Sequence, residues 1–154
     1  MHILVATDAD WVIDELRAAL DEPGTTFTVC RNGRLVAETV SRKTPDLAIL
    51  DLQIGSMGGM AVTMALRLDE SSGRLPHVPI LMLLDRAADI HLAKRSAADG
   101  WLIKPLDALR VARAARVVAA GGRITEGLPV PPTPDAPASD EGAESPTGET
   151  VATG

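Results

Sequence analysis

The sequence has one cysteine, Cys30, among 154 residues, so it can form neither an intramolecular disulfide nor a cysteine-built zinc cluster. No basic, apolar and cleavage-site series opens it, and a cytoplasmic location is expected. Long apolar runs are also missing. The longest candidate, Val78 to Leu84, is far shorter than the roughly 18 residues needed to cross a bilayer. No membrane insertion is expected, which leaves peripheral attachment to a membrane complex open. The third absence is a surplus of positive charge. All 15 Lys and Arg lie between positions 17 and 123 and are balanced by 15 of the 21 Asp and Glu, so the net charge of −6 belongs to residues 126–154. A neutral body with an acidic end has too few cations to neutralise phosphates, and no nucleic-acid partner is expected.

What is present fills one core: 45% of the residues are apolar, enough for a single domain with an appendage. Up to about residue 122, short runs rich in Ile, Val and Leu alternate with helical patterns, as repeated βα units do. The strand candidates are His2 to Thr7, Thr26 to Cys30, Leu47 to Asp51, Val78 to Leu84 and Gly100 to Ile103. Their continuous apolar character implies a parallel sheet covered on both faces. Helical spacing predicts helices over Trp11 to Leu20, Arg34 to Ser41, Met60 to Leu68, Ala87 to Ala98 and Asp107 to Ala120, with Gly121-Gly122 as a stop. The expected fold is α/β, a five-stranded doubly wound parallel sheet with helices on both faces. Residues 1–122 form the domain, and 123–154 a proline-rich acidic tail, disordered unless bound to a partner.

Ligands of such sheets bind at the carboxyl ends of the strands, near the point where strand order reverses. Those ends carry Thr7-Asp8-Ala9-Asp10, Asp51, Leu84-Asp85 and Lys104-Pro105. A hard cation such as Mg²⁺ favours one or two carboxylates, a backbone carbonyl and waters, which Asp8, Asp51 and the carbonyl of Gln53 can supply. A carboxylate beside such a metal can attack a phosphoryl group, with a lysine neutralising the product. Asp51 and Lys104 are the natural pair. The same three charged side chains also fit a buried ion-pair network, kept because an unpaired buried charge is costly.

The segments ILVATDAD, NGRLVAETV, PDLAILDLQIGSMGG, VPILMLL and AADGWLIKP, in this order and at these separations, resemble the receiver domain of bacterial two-component response regulators over about positions 2–121. The resemblance implies a flavodoxin-like fold with strand order 2-1-3-4-5, Asp51 as the residue phosphorylated by a histidine kinase, Lys104 as the phosphoryl contact, and Asp8 as one of two metal-binding acids. It places Trp101 at the switch aromatic, and both Trp11 and Trp101 are expected to flank the pocket. The departures fall on the chemistry. Thr7 stands where the first acid belongs, while Asp10 is expected to cap the first helix. Leu84 stands where a Thr or Ser hydroxyl would bond the phosphoryl oxygen and draw the switch inward. Ile54-Gly55 and Gly58-Gly59 replace Met-Pro and Asp-Gly, which predicts a more flexible loop.

Other features carry ordinary readings. Gly55 to Gly59 lacks the Lys-Ser/Thr ending of a nucleotide loop. His2, His77 and His91 are too scattered for a metal cluster or a dyad, and Cys30 reads as a buried small hydrophobe. Met57, Met60 and Met64 read as packing, with an adaptable partner surface as the sharper alternative. Arg110, Arg113, Arg116 and Arg123 read as a solvated basic edge. In receivers, however, the surface of helix four, strand five and helix five pairs or binds targets, which would put Arg110, Arg113, Trp101 and the tail at an interface.

Two function classes follow, neither of them an enzyme. One is a stand-alone signalling module acting by protein contact, with Mg²⁺-dependent phosphorylation at Asp51 and no output domain. The other is a constitutive accessory subunit docked on a larger complex. For the second, the Ala-, Arg- and Asp-rich style resembles actinobacterial orphan regulators associated with respiratory NADH dehydrogenase.

Overall fold

A computed structural model describes residues 1–126; the tail from residue 127 onward, with its expected disorder or docking, lies outside the described residues. The elements are β1 (His2–Ala6), α1 (Asp10–Leu20), β2 (Thr26–Cys30), α2 (Val36–Arg42), β3 (Leu47–Asp51), α3 (Gly59–Ser71), β4 (Ile80–Leu84), α4 (Ile90–Arg95), β5 (Gly100–Ile103), α5 (Ala108–Ala119) and β6 (Ile124–Thr125). Short 3-10 turns at Gly33–Leu35 and Ala87–Asp89 lead into α2 and α4.

Alternation along the strands divides one set of apolar residues between two layers. Leu4, Ala6, Ala48, Leu50, Met82 and Leu84 face Val36 and Val40 of α2, Val62 and Leu66 of α3, and Ile90 and Ala93 of α4. Ile3, Val5, Ile49, Leu81, Leu83 and Leu102 face Val12, Ile13 and Leu16 of α1 and Val111, Ala114, Ala115 and Val118 of α5. Burial on both sides is why these strands read as unbroken apolar runs. The order is β2-β1-β3-β4-β5-β6, with every pairing parallel. Because β1 and β3 are neighbours, their carboxyl ends meet at the switch point, Ala6 opposite Leu50.

The doubly wound α/β architecture is as expected; the strand count is not. A sixth strand, β6, pairs Ile124 with Gly100 and Thr125 with Trp101. Gly121 takes φ +91° and reverses the chain after α5. Gly100 makes room for the added strand, since a Cβ there would lie 2.9 Å from the Ile124 carbonyl oxygen. Two residues are too few to show a period, and Gly121-Gly122 read only as a stop. The described fold thus continues past residue 122.

Two local readings also change. Asp10 does not cap α1: Ala9 holds that position without a side-chain bond, and Asp10 instead pairs with Arg31 at 2.6 Å. The helix expected over Ala87 to Ala98 is shorter and begins as a 3-10 turn, with Ala97 turned to φ +62° after it.

Candidate functional site

Asp51 ends β3 and is only 3% exposed. Its carboxylate is surrounded by donors. Thr7, directly after β1, donates its hydroxyl to Asp51 Oδ2 at 2.9 Å, and the backbone N–H of Gln53 donates to Oδ1 at 3.1 Å. Lys104, directly after β5, reaches both oxygens at 3.0 and 3.1 Å. Four hydrogen bonds, two of them from the Lys104 ammonium, make this burial tolerable. Lys104 carries a second ion pair, at 3.0 Å, to Asp85, the residue after β4. Burial lowers its pKa, but its bonds to Asp51 and Asp85 outweigh that and hold it above the ordinary lysine value. Its ammonium also lies 5.5 Å from the centroid of the Trp11 ring, within cation–π range.

Asp8 is exposed at the rim and accepts the Gly55 N–H at 3.1 Å. Asp8, Asp51 and the carbonyl of Gln53 are hard oxygen donors on adjacent loops, a set that suits a divalent cation retaining several waters. Among the described residues there is no cluster of three or more His, Cys, Asp or Glu placed for a metal.

The loop after β3, expected to be flexible, is anchored. Gly33 N–H donates to the Gly55 carbonyl at 3.5 Å and Met57 N–H to the same carbonyl at 2.9 Å, while the Ser56 hydroxyl bonds the Asn32 side chain. Gly59, at the start of α3, packs over the Asp51 backbone, where a Cβ would lie 2.5 Å from the Asp51 carbonyl oxygen. The glycines here serve close approach as well as conformational freedom.

These contacts unite Asp51, Gln53 and Lys104, reach Asp8 only through the loop at Gly55, and leave the other candidates elsewhere. Leu84 is fully buried in the layer beneath α3 and α4. Of the two tryptophans, only Trp11 flanks the site. Trp101 is interior, opposite Met82, and its indole N–H donates to the Glu126 carbonyl at 2.8 Å. Arg110 is tied to the Glu126 carboxylate and to the carbonyls of Ile103 and Pro105, at 3.2 and 3.1 Å. Arg113 is exposed and lines, with Arg110, Leu102, Ala114 and Ile124, an open cavity of about 270 Å³ beside β6. Sequence reasoning did not pair Asp85 with Lys104 or Thr7 with Asp51. The only signal was that all four sit immediately at the carboxyl ends of strands.

A family model described as the response regulator receiver domain matches residues 3–116. The chain belongs to that family. Among curated relatives, the receiver is 33% identical over 134 residues to the transcriptional regulatory protein CseB of Streptomyces coelicolor, covering 82% of this chain and 55% of that protein. It is 32% identical over 106 residues to the DNA-binding response regulator MtrA of Mycobacterium tuberculosis, covering 68% of this chain and 44% of that one. The chain thus spans about half the length of these relatives. Among solved structures, the receiver matches the chemotaxis response regulator CheY4 of Vibrio cholerae with a TM-score of 0.67 at 22% identity, over 76% of this chain and 97% of that one. The receiver domain of a histidine kinase from Syntrophus aciditrophicus matches with a TM-score of 0.68 at 25% identity, over 84% of this chain and 97% of that one. Among the described residues no helix is long and apolar enough to cross a membrane.

Proposed function

We propose that this receiver accepts a phosphoryl group from a histidine kinase at Asp51, assisted by Mg²⁺, and acts in the cytoplasm by contacting a protein partner rather than by turning over a separate substrate. One observation carries the reading: a nearly buried carboxylate at the switch point with a lysine on both of its oxygens. To react, one Asp51 oxygen sheds a hydrogen bond and attacks the phosphorus of a phosphohistidine. The O–P bond forms as the P–N bond breaks, and the electron pair stays on the imidazole nitrogen, which takes a proton from water. Lys104 remains a cation beside the new phosphoryl oxygens, and the oxygen left behind keeps its own donor, the Gln53 N–H on Oδ1 or the Thr7 hydroxyl on Oδ2. Asp8, Asp51 and the Gln53 carbonyl would hold the cation, which supplies charge neutralisation.

CseB and MtrA are named as transcriptional and DNA-binding regulators. For the receiver we infer no nucleic-acid contact of its own, because the charges of residues 1–125 cancel. Arg113 and the face of α4, β5 and α5 are the proposed partner surface, where Trp101 and Leu84 act from within and Arg110 through Glu126. The test is beryllofluoride with Mg²⁺, a stable mimic of the acyl phosphate, followed by Trp11 fluorescence. A saturable change is expected that Asp51→Asn abolishes; the same change in Asp51→Asn, or none in either, would sink the proposal.

A second reading has its own support. Leu84 offers no hydroxyl to couple a phosphoryl group to a shape change, and Thr7 already occupies Asp51. Both favour a constitutive subunit docked on a larger complex, for which respiratory NADH dehydrogenase is the candidate on compositional style. Stable co-purification with such a complex from cells carrying Asp51→Asn is the result this reading expects.

A further inference from the structure

Lys104 is shared. Its ammonium stands 3.0 Å from Asp51 and 3.0 Å from Asp85, so the one cation at the phosphoacceptor is divided between two carboxylates. The side chain of Asp85 is 40% exposed, against 11% for Lys104 and 3% for Asp51. Asp85 therefore stands on the solvent side of the ammonium, where a ligand must approach. Two carboxylates, Asp51 and Asp85, share that one ammonium, Asp8 lies at the rim bonded to Gly55, and the neighbouring Arg86 is paired with Asp89, so the immediate site carries a net negative charge. An anion entering it meets the field of Asp85 and must compete with Asp85 for Lys104, while a cation gains from the same charge.

We propose that Asp85 is a specificity-determining residue of the Asp51 site, a fixed negative charge that weakens binding of phosphoryl-type anions and strengthens binding of a divalent cation. The anion half rests on the reading of Asp51 as phosphoacceptor. Asp85 does not touch the reacting atoms; it acts through Lys104 and through its field. Its exposure makes the effect moderate and sensitive to salt.

Calorimetric titrations of the full chain, the Asp85→Asn variant and the Asp85→Ala variant test this with two probes: Mg²⁺ alone, and beryllofluoride at saturating Mg²⁺. Removing the charge is expected to tighten beryllofluoride about fivefold or more at low salt, and this gain should shrink severalfold in 1 M salt, where the screening length falls to about 3 Å. Mg²⁺ alone is expected to bind about threefold more weakly. The opposite signs are decisive. A residue that only props Lys104 in place would, when removed, weaken both ligands together, and that result, or unchanged affinities, overturns the proposal. If none of the three proteins binds beryllofluoride, the phosphoacceptor reading fails on its own. Mg²⁺ then decides Asp85: binding weakened in Asp85→Asn at low salt but not in 1 M salt upholds the charge role, and equal binding, or a loss that salt leaves unchanged, overturns it.

Discussion

Replacing Arg67 with alanine is expected to lower the unfolding free energy by about 3 kcal/mol, among the largest single-residue effects in this fold. Arg67 lies on α3 but binds across two other segments. Its Nε donates to the Ala97 carbonyl at 3.0 Å, Nη1 to the Val78 carbonyl and to Glu70, both at 2.9 Å, and Nη2 to Asp99 at 2.6 Å. Asp99 in turn accepts the Ile80 N–H at 2.8 Å, so the guanidinium ties α3 to the amino ends of β4 and β5. Arg67 and Asp99 are only 17% and 16% exposed. Truncation leaves a largely buried carboxylate and two carbonyls short of donors, which is where the cost arises. Arg42, in an exposed i,i+4 pair with Glu38, is the control, and its alanine variant should change stability by less than about 0.5 kcal/mol. Urea unfolding of both variants checks this. Equal midpoints for Arg67→Ala and Arg42→Ala would contradict the assignment of Arg67 as the clamp.

Thr7→Asp is expected to exchange stability for metal affinity. Thr7 is fully buried, donates to Asp51 and accepts the Ala9 N–H at 3.2 Å. An aspartate keeps the acceptor but replaces the donor with a second carboxylate against Asp51, at a cost of about 2–3 kcal/mol without metal. The same change adds an oxygen ligand with full charge, so Mg²⁺ should bind at least about tenfold more tightly. Metal at a hundred times its dissociation constant would then restore about 2.7 kcal/mol. Thermal denaturation with and without Mg²⁺ reads both halves. The expected pattern is a variant less stable than the parent without metal and more strongly stabilised by it. A loss that Mg²⁺ does not repair would show that the Thr7 position does not face the cation.

Much of the fold was legible because its signals are local. Ile3, Leu4 and Val5, or Ile80 to Leu84, are apolar on both faces, and only a strand covered on both sides needs that. The charged groups of the crevice were legible because a parallel sheet brings strand ends to one edge, so Asp8, Asp51 and Lys104 could be placed together by order alone. Neighbours across that edge were not legible. Nothing local to Asp85 announces Lys104, and nothing local to Thr7 announces a hydroxyl aimed at Asp51. Trp101 was expected beside the pocket, but strand alternation turns it into the interior and leaves Trp11 next to Lys104. Asp10 had the residue type of a cap, yet a strand-end arginine, Arg31, claimed it.

The sequence by itself determined the layered architecture and the identity of the charged groups at the crevice, because these follow from periodicity and from residue type, while the strand order through β5 was implied by the resemblance to receiver domains. Only the tertiary structure decided how those charges are divided: Lys104 between Asp51 and Asp85, Thr7 on Asp51, and Glu126 on Arg110. It alone also decided that a two-residue strand closes the sheet edge against Gly100. The reason is range. Hydrophobic patterning is repeated along many residues and survives averaging, whereas an ion pair depends on a few tenths of an ångström between side chains from distant segments and falls steeply when that distance is lost.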